Sequence, residues 1–339
     1  MASKNTEYKK TLIVQPGAIG DCVITLALVE MLHRQNGSAE IDIMGRTDYL
    51  SYFKNCTAID NVLCMESAKL HRLFDADVLD KSNKNLDSYD LADESNCDDL
   101  VKLFAKYDLI ISFLHDDKNI FEQNIIRLAV RSGMVEVVTL KLQPPTNYKK
   151  HVSEYIIEQF LAEIPFTRME YPQEFPHPLI KNNENHQSIT IEKITDITNP
   201  VIICPGSGGE YKCWPLENYI ALADKLEEHF FEPVFILGPA ELERFNTGQI
   251  QMLNNRFNLL TDTALEDIVA ILDKATAFVG NDSGISHIAG AMHTKTIVIF
   301  GPTEPNIWQP LGINIRICKA TSNWPDVDSV LASIISKLM

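Results

Sequence analysis

Short apolar runs alternate with longer segments of helical hydrophobic spacing along most of the chain. In the first half, apolar runs rich in Val, Ile and Leu predict buried β-strands at 11–16, 40–45, 60–65, 108–114 and 135–140. Segments with apolar residues at helical spacing lie at 21–37, 119–132 and 148–164. Strands that alternate with helices in this way predict a parallel α/β layer.

The same alternation begins again in the second half. Strands are predicted at 200–205, 232–238, 257–260, 276–280, 295–301 and 313–318. Helices are predicted at 216–230, 240–253, 265–275, 285–292 and 327–339. We therefore expect an α/β protein with two halves of similar size, although their sequences do not form an obvious repeat.

Two segments interrupt the alternation. Residues 66–99 are acidic, polar and without clear periodicity, which indicates an inserted loop with at most short helices. Residues 165–200 combine prolines with many polar residues, as is typical of a linker. We therefore expect an N-terminal domain at 1–168, a linker region at 169–198, a C-terminal domain at 199–325 and a final helix at 326–339.

Charge and composition exclude several classes of protein. The net charge of −16 argues against a nucleic-acid binder, because such proteins carry a basic patch that neutralises phosphates. The seven cysteines are scattered and form no C-x-x-C pair, which favours reduced thiols in the cytosol. No stretch approaches the ~20 apolar residues of a membrane span. We expect a cytoplasmic protein that binds no nucleic acid, and peripheral contact with the inner membrane surface is left open.

The loop after the first strand carries Gly17, Gly20 and Asp21. The glycines allow a tight turn or a close approach to a ligand. Asp21 is also an ordinary residue for the start of a helix, where the dipole stabilises a carboxylate. The loop is not the G-x-G-x-x-G fingerprint of dinucleotide-binding proteins, which disfavours a dehydrogenase.

Two further strand-end loops lie in the second half. In "CPGSGGEYKCWP", Ser207, Gly208 and neighbouring glycines precede a helix, so backbone N–H groups there can cradle phosphate oxygens. Lys212 adds a positive charge for the same anion. A flexible surface loop is the alternative. Glu241 follows the next strand, where a carboxylate can hold a ribose diol or simply begin a helix.

The fourth loop is the stretch "AFVGNDSGISHIAGAM". Asp282, Ser283 and Gly284 stand between a predicted buried strand and a predicted helix, and His287 follows within that helix. Ser283 is a good residue to cap the helix. A lone helical histidine is often structural, but a helix start beside a carboxylate and an imidazole suits a phosphate-bearing ligand.

Three blocks of the sequence resemble the signature blocks of glycosyltransferase family 9, the ADP-heptose:lipopolysaccharide heptosyltransferases. They are "TLIVQPGAIGDCVITLALVEMLHRQ", "PGSGGEYKCWPLENYIALADKL" and the stretch with "VGNDSGISHIAG" and "FGPTEP". The third block is the most specific, and the resemblance extends over about residues 10–315. It implies a GT-B architecture: two Rossmann-like domains facing a cleft, with a C-terminal helix that returns to the first domain.

The resemblance also implies a reaction and roles for residues. The expected reaction is an inverting transfer, without metal or cofactor, of a sugar from a nucleotide donor such as ADP-heptose to a glycan or lipid-linked glycan acceptor. Asp21 matches the general base, and Lys212 the group that neutralises the leaving diphosphate. The expected donor-binding residues are Gly17, Gly20, Ser207, Gly208, Glu241, Asp282, Ser283, Gly284 and His287.

Some features leave alternatives open. The "DAD" at 75–77 and "HDD" at 115–117 suggest the metal-binding D-x-D of another glycosyltransferase fold, but the first lies in the irregular insertion and the second is not D-x-D. His115, Asp116 and Lys118 follow a strand and either line an acceptor pocket or form a solvated loop. The insertion and the acidic charge put the acceptor in doubt. A non-catalytic relative, or an enzyme with another nucleotide sugar, is the alternative function.

Overall fold

A computed structural model of the protein describes residues 8–35, 40–75, 99–131, 133, 135–164, 178–183, 186, 188, 194, 196–321 and 323–338. The chain forms two compact units. The first comprises Met1–Tyr148 and Val152–Pro172, and the second comprises Lys149–His151 and Gln173–Met339. Most of the predicted linker region lies outside the described residues, as do residues 76–98 of the predicted insertion.

The first unit contains a five-stranded parallel sheet in the order β3-β2-β1-β4-β5. Its strands are β1 (Lys10–Gln15), β2 (Glu40–Gly45), β3 (Asn61–Cys64), β4 (Leu109–Ser112) and β5 (Glu136–Thr139). Its helices are α1 (Ile19–Gln35), α2 (Thr47–Leu50), α3 (Phe53–Cys56), α4 (Asp99–Phe104), α5 (Ile120–Arg131) and α6 (Val152–Glu163). A short 3-10 helix at Leu70–Phe74 precedes the undescribed part of the insertion.

The centre of this sheet is built from the apolar runs of the sequence. Strand β1 is buried over almost its full length, and its Leu12 and Val14 pack in one hydrophobic core with residues of α4 and α5. Helix α6 packs on α1 and begins at Val152, later than the predicted start at 148. The three residues before it, Lys149–His151, belong to the second unit.

The second unit contains a six-stranded parallel sheet in the order β11-β10-β9-β6-β7-β8. Its strands are β6 (Pro200–Cys204), β7 (Glu232–Leu237), β8 (Asn258–Thr261), β9 (Ala277–Asn281), β10 (Thr296–Phe300) and β11 (Ile315–Lys319). Its helices are α7 (Leu216–Glu228), α8 (Pro239–Arg244), α9 (Thr247–Arg256), α10 (Leu265–Lys274), α11 (Gly284–Ala291), α12 (Pro305–Trp308) and α13 (Val327–Leu338).

The segment predicted as one helix at 240–253 is two helices. Helix α8 ends at Arg244, and Asn246 begins α9 by accepting a hydrogen bond from the Gln249 N–H. The Gln249 side chain returns a hydrogen bond to the Asn246 N–H, at 3.0 Å. This reciprocal cap starts a new helix within an apolar pattern that otherwise continues, so periodicity alone did not separate the two.

The last helix, α13, lies in the second unit, in contrast to its predicted return to the first domain. It packs against α7, β10 and β11. Its residues Val330, Leu331 and Ile334 join the hydrophobic core of this unit. The physical reason is that the apolar stripe of α13 is buried against these elements, which removes it from water.

The two sheets share a topological feature, a reversal of the strand order. In each unit the first strand lies between two later strands, so that the strand order reverses beside it: at β1 and β4 in one unit, and at β6 and β9 in the other. Ligands of open parallel sheets bind beyond the carboxyl ends of the strands at such points. Within the described residues, no helix is long and apolar enough to cross a membrane.

Candidate functional site

The loops that follow β6 and β9 are joined by a buried asparagine at the end of β9. The amide of Asn281 donates a hydrogen bond of 2.7 Å to the Pro205 carbonyl and accepts one of 2.9 Å from the Trp214 N–H. Both ends of the glycine-rich loop at 205–214 are therefore fastened to the same side chain. Because Asn281 is fully buried, each of these hydrogen bonds would be costly to lose.

Asp282 contacts two residues of the same loop, Ser207 and Lys212. Its carboxylate oxygen Oδ2 lies 2.9 Å from Nζ of Lys212 and accepts a hydrogen bond of 2.8 Å from Oγ1 of Thr303. Its backbone carbonyl accepts a hydrogen bond of 2.7 Å from Oγ of Ser207. Two residues predicted for the phosphate loop, Ser207 and Lys212, are thus brought together with one predicted for the fourth loop.

Helix α11 begins directly beside this cluster. Ser283 is its N-cap, and the Ser283 hydroxyl accepts a hydrogen bond from the Ser286 N–H, which confirms the predicted cap. Gly284 is the first residue of the helix. The N-terminal N–H groups and the helix dipole at this end favour a negatively charged ligand.

His287 is buried inside the first turns of α11, with 5% of its surface exposed. Its Nδ1 has no hydrogen-bond partner among the described residues. Burial lowers the pKa of His287 to about 4, although the nearby Asp282 carboxylate opposes this effect; His151 and Lys212 lower it further. The imidazole is therefore neutral near pH 7, and its Nδ1 is a buried polar atom without a partner among the described residues, which is uncommon in folded proteins.

The second buried imidazole belongs to His151, from the segment that precedes α6. Its Nε2 lies 2.8 Å from the carbonyl oxygen of Gln309, just after α12. Burial lowers the pKa of His151, and the hydrogen bond to Gln309 opposes the shift. The hydrogen bond between His151 and Gln309 thus connects residues 149–151 to the rest of the second unit.

Glu241 lies at the start of α8 and is turned toward the glycine-rich loop. Its Oε2 accepts a hydrogen bond of 2.7 Å from the Gly238 N–H. Its Oε1 lies so close to Gly206 that a Cβ atom at that glycine would stand 1.3 Å away. Burial raises the pKa of Glu241. The structure therefore places Glu241 beside the predicted phosphate loop.

Arg244, at the end of α8, contacts the same loop. Its guanidinium donates hydrogen bonds to Sγ of Cys213 at 3.0 Å and to the carbonyl of Ser207 at 3.2 Å. Between these two residues the tip of the loop is open, since a Cβ at Gly208 would have no atom within 4 Å among the described residues. The exposed ring of Tyr211 lies at the same tip.

In the first unit, the turn after β1 packs tightly around Asp21. The Ala18 N–H donates a hydrogen bond of 3.0 Å to Oδ2 of Asp21, in the first turn of α1. A Cβ at Gly17 would lie 2.6 Å from the same oxygen, so this glycine permits the close approach. Gly20, by contrast, lies within α1. The carboxylate is therefore fixed at the carboxyl end of β1.

The loop after β4 contains the three residues considered for an acceptor pocket. Asp116 accepts hydrogen bonds from the N–H groups of Lys118, Ile120 and Phe121, at 2.9, 3.2 and 2.7 Å. These hydrogen bonds, led by the one from Phe121, lower the pKa of Asp116. Asp116 therefore caps the start of α5. Nδ1 of His115 lies 3.4 Å from the carbonyl oxygen of Phe113 in the same loop.

No group of three or more His, Cys, Asp and Glu side chains able to hold a metal ion occurs in the part of the chain that the structure describes. The "DAD" at 75–77 lies mostly outside that part. Metal independence remains a prediction.

Sequence reasoning missed several residues of this site. Asn281 and Thr303 stand inside the quoted family motifs, so the motifs carried a signal for them. Arg244 lies after β7 in the same stretch as Glu241, where only Glu241 was considered, and His151 lies in the predicted helix at 148–164. The fold brings Arg244 to the glycine-rich loop and His151 to Gln309.

The sequence model of glycosyltransferase family 9 (heptosyltransferase) matches residues 129–334. Lipooligosaccharide heptosyltransferase 2 of Haemophilus ducreyi is 25% identical over 321 residues, which cover 89% of this chain and 86% of that protein. Lipopolysaccharide heptosyltransferase 2 of Escherichia coli (strain K12) is 27% identical over 184 residues. This alignment covers 52% of this chain and 53% of that protein, about half of each.

Solved structures show the same fold. The glycosyl transferase family 9 protein from Veillonella parvula DSM 2008 has a TM-score of 0.70 at 14% identity, with 98% of both chains covered. The E. coli ADP-heptose lipopolysaccharide heptosyltransferase II has a TM-score of 0.66 at 20% identity, with 97% of this chain and 98% of that chain covered. These likenesses confirm the predicted α/β class and GT-B fold, apart from the position of the last helix.

Proposed function

The chain belongs to glycosyltransferase family 9, and from this membership we propose that it transfers a sugar, by inversion and without a metal ion, from a nucleotide donor to a glycan hydroxyl. The relatives are named heptosyltransferases of lipopolysaccharide or lipooligosaccharide, which makes heptose from ADP-heptose the proposed donor group. The proposed acceptor is a lipopolysaccharide core or a related glycan.

One observation supports the proposal: the arrangement of polar and charged groups around the start of α11 in the second unit. Lys212 stands 2.9 Å from Asp282, beside the capped N-terminus of α11, and His287 has a buried Nδ1 without a partner among the described residues. A helix N-terminus, an ammonium group and an open glycine loop together suit the diphosphate of a nucleotide sugar.

The diphosphate is the leaving group of the proposed reaction. Negative charge develops on it as the bond to the sugar breaks, and Lys212 with the loop N–H groups would stabilise that charge. In the structure Lys212 is paired with Asp282, so the ammonium group is already fixed in place before a ligand arrives. This preorganisation reduces the cost of orienting the group during the reaction.

Asp21 is the proposed general base. It would accept the proton of the acceptor hydroxyl as that oxygen attacks the anomeric carbon. Its position in the first turn of α1 favours the ionised carboxylate. A carboxylate is a weak base, so proton transfer would follow most of the bond making in an oxocarbenium-like transition state.

A calorimetric titration with ADP, UDP and GDP, first without metal and then with magnesium, tests the donor site. Selective binding of ADP without metal is the expected result. Selective binding of UDP or GDP would replace the proposed donor with another nucleotide sugar. Absence of binding to all three would favour the alternative, a non-catalytic relative.

The base assignment has its own test. Asp21→Asn should bind ADP as the wild type does and lose transfer by a factor of roughly 10² to 10⁴, the usual contribution of a general base. Asp116→Asn is the matched control, because it also changes a strand-end carboxylate of the first unit. Transfer by Asp21→Asn at the wild-type rate would remove Asp21 from the mechanism.

A further inference from the structure

Helix α8 contacts the glycine-rich loop on both sides of its open tip. At the entry to the tip, the Arg244 guanidinium donates to the Ser207 carbonyl at 3.2 Å. At its exit, the same guanidinium donates to Sγ of Cys213 at 3.0 Å. Arg244 therefore connects the two ends of the segment 207–213. Within this segment, a Cβ at Gly208 would meet no atom of the described residues within 4 Å.

Lys212 lies inside the segment that Arg244 spans. Its backbone precedes Cys213 directly, and its ammonium group donates a hydrogen bond to Asp282, the residue after β9. The position of that ammonium group thus depends on where Cys213 is held. A guanidinium is a planar group with donors in a fixed geometry. Two hydrogen bonds from it therefore hold their acceptors more rigidly than two from a freely rotating ammonium group.

The charge of Arg244 is partly balanced by a neighbour on its own helix. Arg244 opposes the burial effect that raises the pKa of Glu241, so the guanidinium and that carboxylate interact. Glu241 in turn lies against Gly206, at the start of the loop. The Glu241 carboxylate therefore offsets part of the positive charge that Arg244 would present to a bound diphosphate.

We propose that Arg244 is a positioning residue for the anion-binding loop. It fixes Ser207 and Cys213 relative to one another, and through them it directs Lys212 toward the diphosphate of the donor. This inference rests on the proposed use of the loop as the diphosphate site. It adds a residue that contacts the loop from α8 and acts on the ligand only through Lys212.

A double-mutant cycle tests this coupling. The affinity for ADP is measured by calorimetry for the wild type, Arg244→Met, Lys212→Met and the double variant, with thermal unfolding of each. If Arg244 acts through Lys212, Arg244→Met raises the Kd about 10-fold, and the double variant binds no more weakly than Lys212→Met alone. Additive losses would overturn the proposal, because they would mean that Arg244 acts independently of Lys212.

Two further variants sharpen the result. Arg244→Lys keeps the charge without the planar fork, so it should bind ADP nearly as weakly as Arg244→Met; wild-type affinity would overturn the proposal. Arg256→Met is the matched control. It removes a partly exposed arginine of the same unit that pairs with Asp224, and it should leave the Kd unchanged.

The loop itself supplies a readout that needs no ligand. Amide hydrogen exchange at residues 206–213 should accelerate in Arg244→Met and remain unchanged in Arg256→Met. If the wild type binds no nucleotide diphosphate, the proposed function fails, while faster exchange confined to this loop still supports the role of Arg244 in holding it. Exchange unchanged in Arg244→Met would overturn that role, whichever ligand the protein binds.

Discussion

The ammonium nitrogen of Lys212 lies 2.9 Å from Oδ2 of Asp282, and this ion pair ties the glycine-rich loop after β6 to the start of α11. The carboxylate side chain is 7% exposed and the lysine side chain 26%. Removing a charge from a partly buried pair leaves the other charge without compensation, which costs more than the pair itself contributes.

Lys212→Met should therefore destabilise the protein by about 1–3 kcal/mol, since it leaves the buried Asp282 carboxylate without its cation. Lys212→Met combined with Asp282→Asn should recover part of that loss. Urea denaturation of both variants measures the free energies of unfolding. Lys225→Met serves as control, because Lys225 pairs with the exposed Asp328; an equal loss there would contradict the prediction.

Gly206 is expected to tolerate no side chain. A Cβ at this position would stand 1.3 Å from Oε1 of Glu241, so Gly206→Ala must displace that carboxylate or the loop. The expected cost is about 1–3 kcal/mol, as for other overpacked sites. Chemical denaturation measures it.

Two companion variants identify the cause of that loss. Gly208→Ala should be nearly neutral, because a Cβ there meets no atom of the described structure within 4 Å. Combining Gly206→Ala with Glu241→Ala should relieve the clash. If the combination is no more stable than Gly206→Ala alone, the contact with Glu241 is not the reason for the loss.

Stability should fall with acidification because of His287. Its pKa in the folded protein is lowered to about 4, mainly by burial, whereas the ordinary value is 6.5. Between these values the unfolded chain binds a proton that the folded protein does not bind, so stability is present above pH 6.5 and is lost as the pH falls toward 4. Burial lowers the pKa of His151 as well, so His151 contributes in the same direction.

The groups that face His287 set the size of this effect: the Asp282 carboxylate favours its protonation, and Lys212 and His151 oppose it. His287→Gln should flatten the dependence of the unfolding free energy on pH between pH 7 and pH 4, measured by urea denaturation. His229→Gln, at an exposed histidine of the same unit, should keep the wild-type slope. An unchanged slope in His287→Gln would contradict a neutral, buried imidazole.

Asp116 should matter for stability and not for the donor site. Its carboxylate accepts hydrogen bonds from the N–H groups of Lys118, Ile120 and Phe121, so Asp116→Ala should lower Tm by removing the cap of α5. The affinity for ADP should remain that of the wild type. Weaker ADP binding in Asp116→Ala would contradict the prediction.

The stabilisation by Asp116 should also depend on pH. Because the pKa of Asp116 is lowered, its contribution to the free energy of unfolding is present above the ordinary carboxylate pKa and disappears as the pH falls through the lowered value.

The hydrophobic pattern of the sequence determined the α/β class and most of the strands, because a strand buried in a parallel sheet is predominantly apolar and lies between helices. The residue types in the motifs determined the chemistry of the strand-end loops. Glycines, a serine cap, a lysine and an aspartate in the quoted motifs predicted an anion site, and the resemblance carried by those motifs predicted the family to which the chain belongs.

Only the tertiary structure decided which groups meet. The parallel pairing of β6 with β9 brings the residues that follow each strand together, so Lys212 pairs with Asp282 although 69 residues separate them. Arg244 reaches the glycine-rich loop from α8, and His151 reaches Gln309 from the segment before α6. The burial of α13 in the second unit depends likewise on contacts that hydrophobic spacing does not contain. The reciprocal cap between Asn246 and Gln249, by contrast, is a local pattern that the sequence carries and that periodicity overlooks. Periodicity records which face of an element avoids water, but the partner that covers that face is chosen by packing in three dimensions.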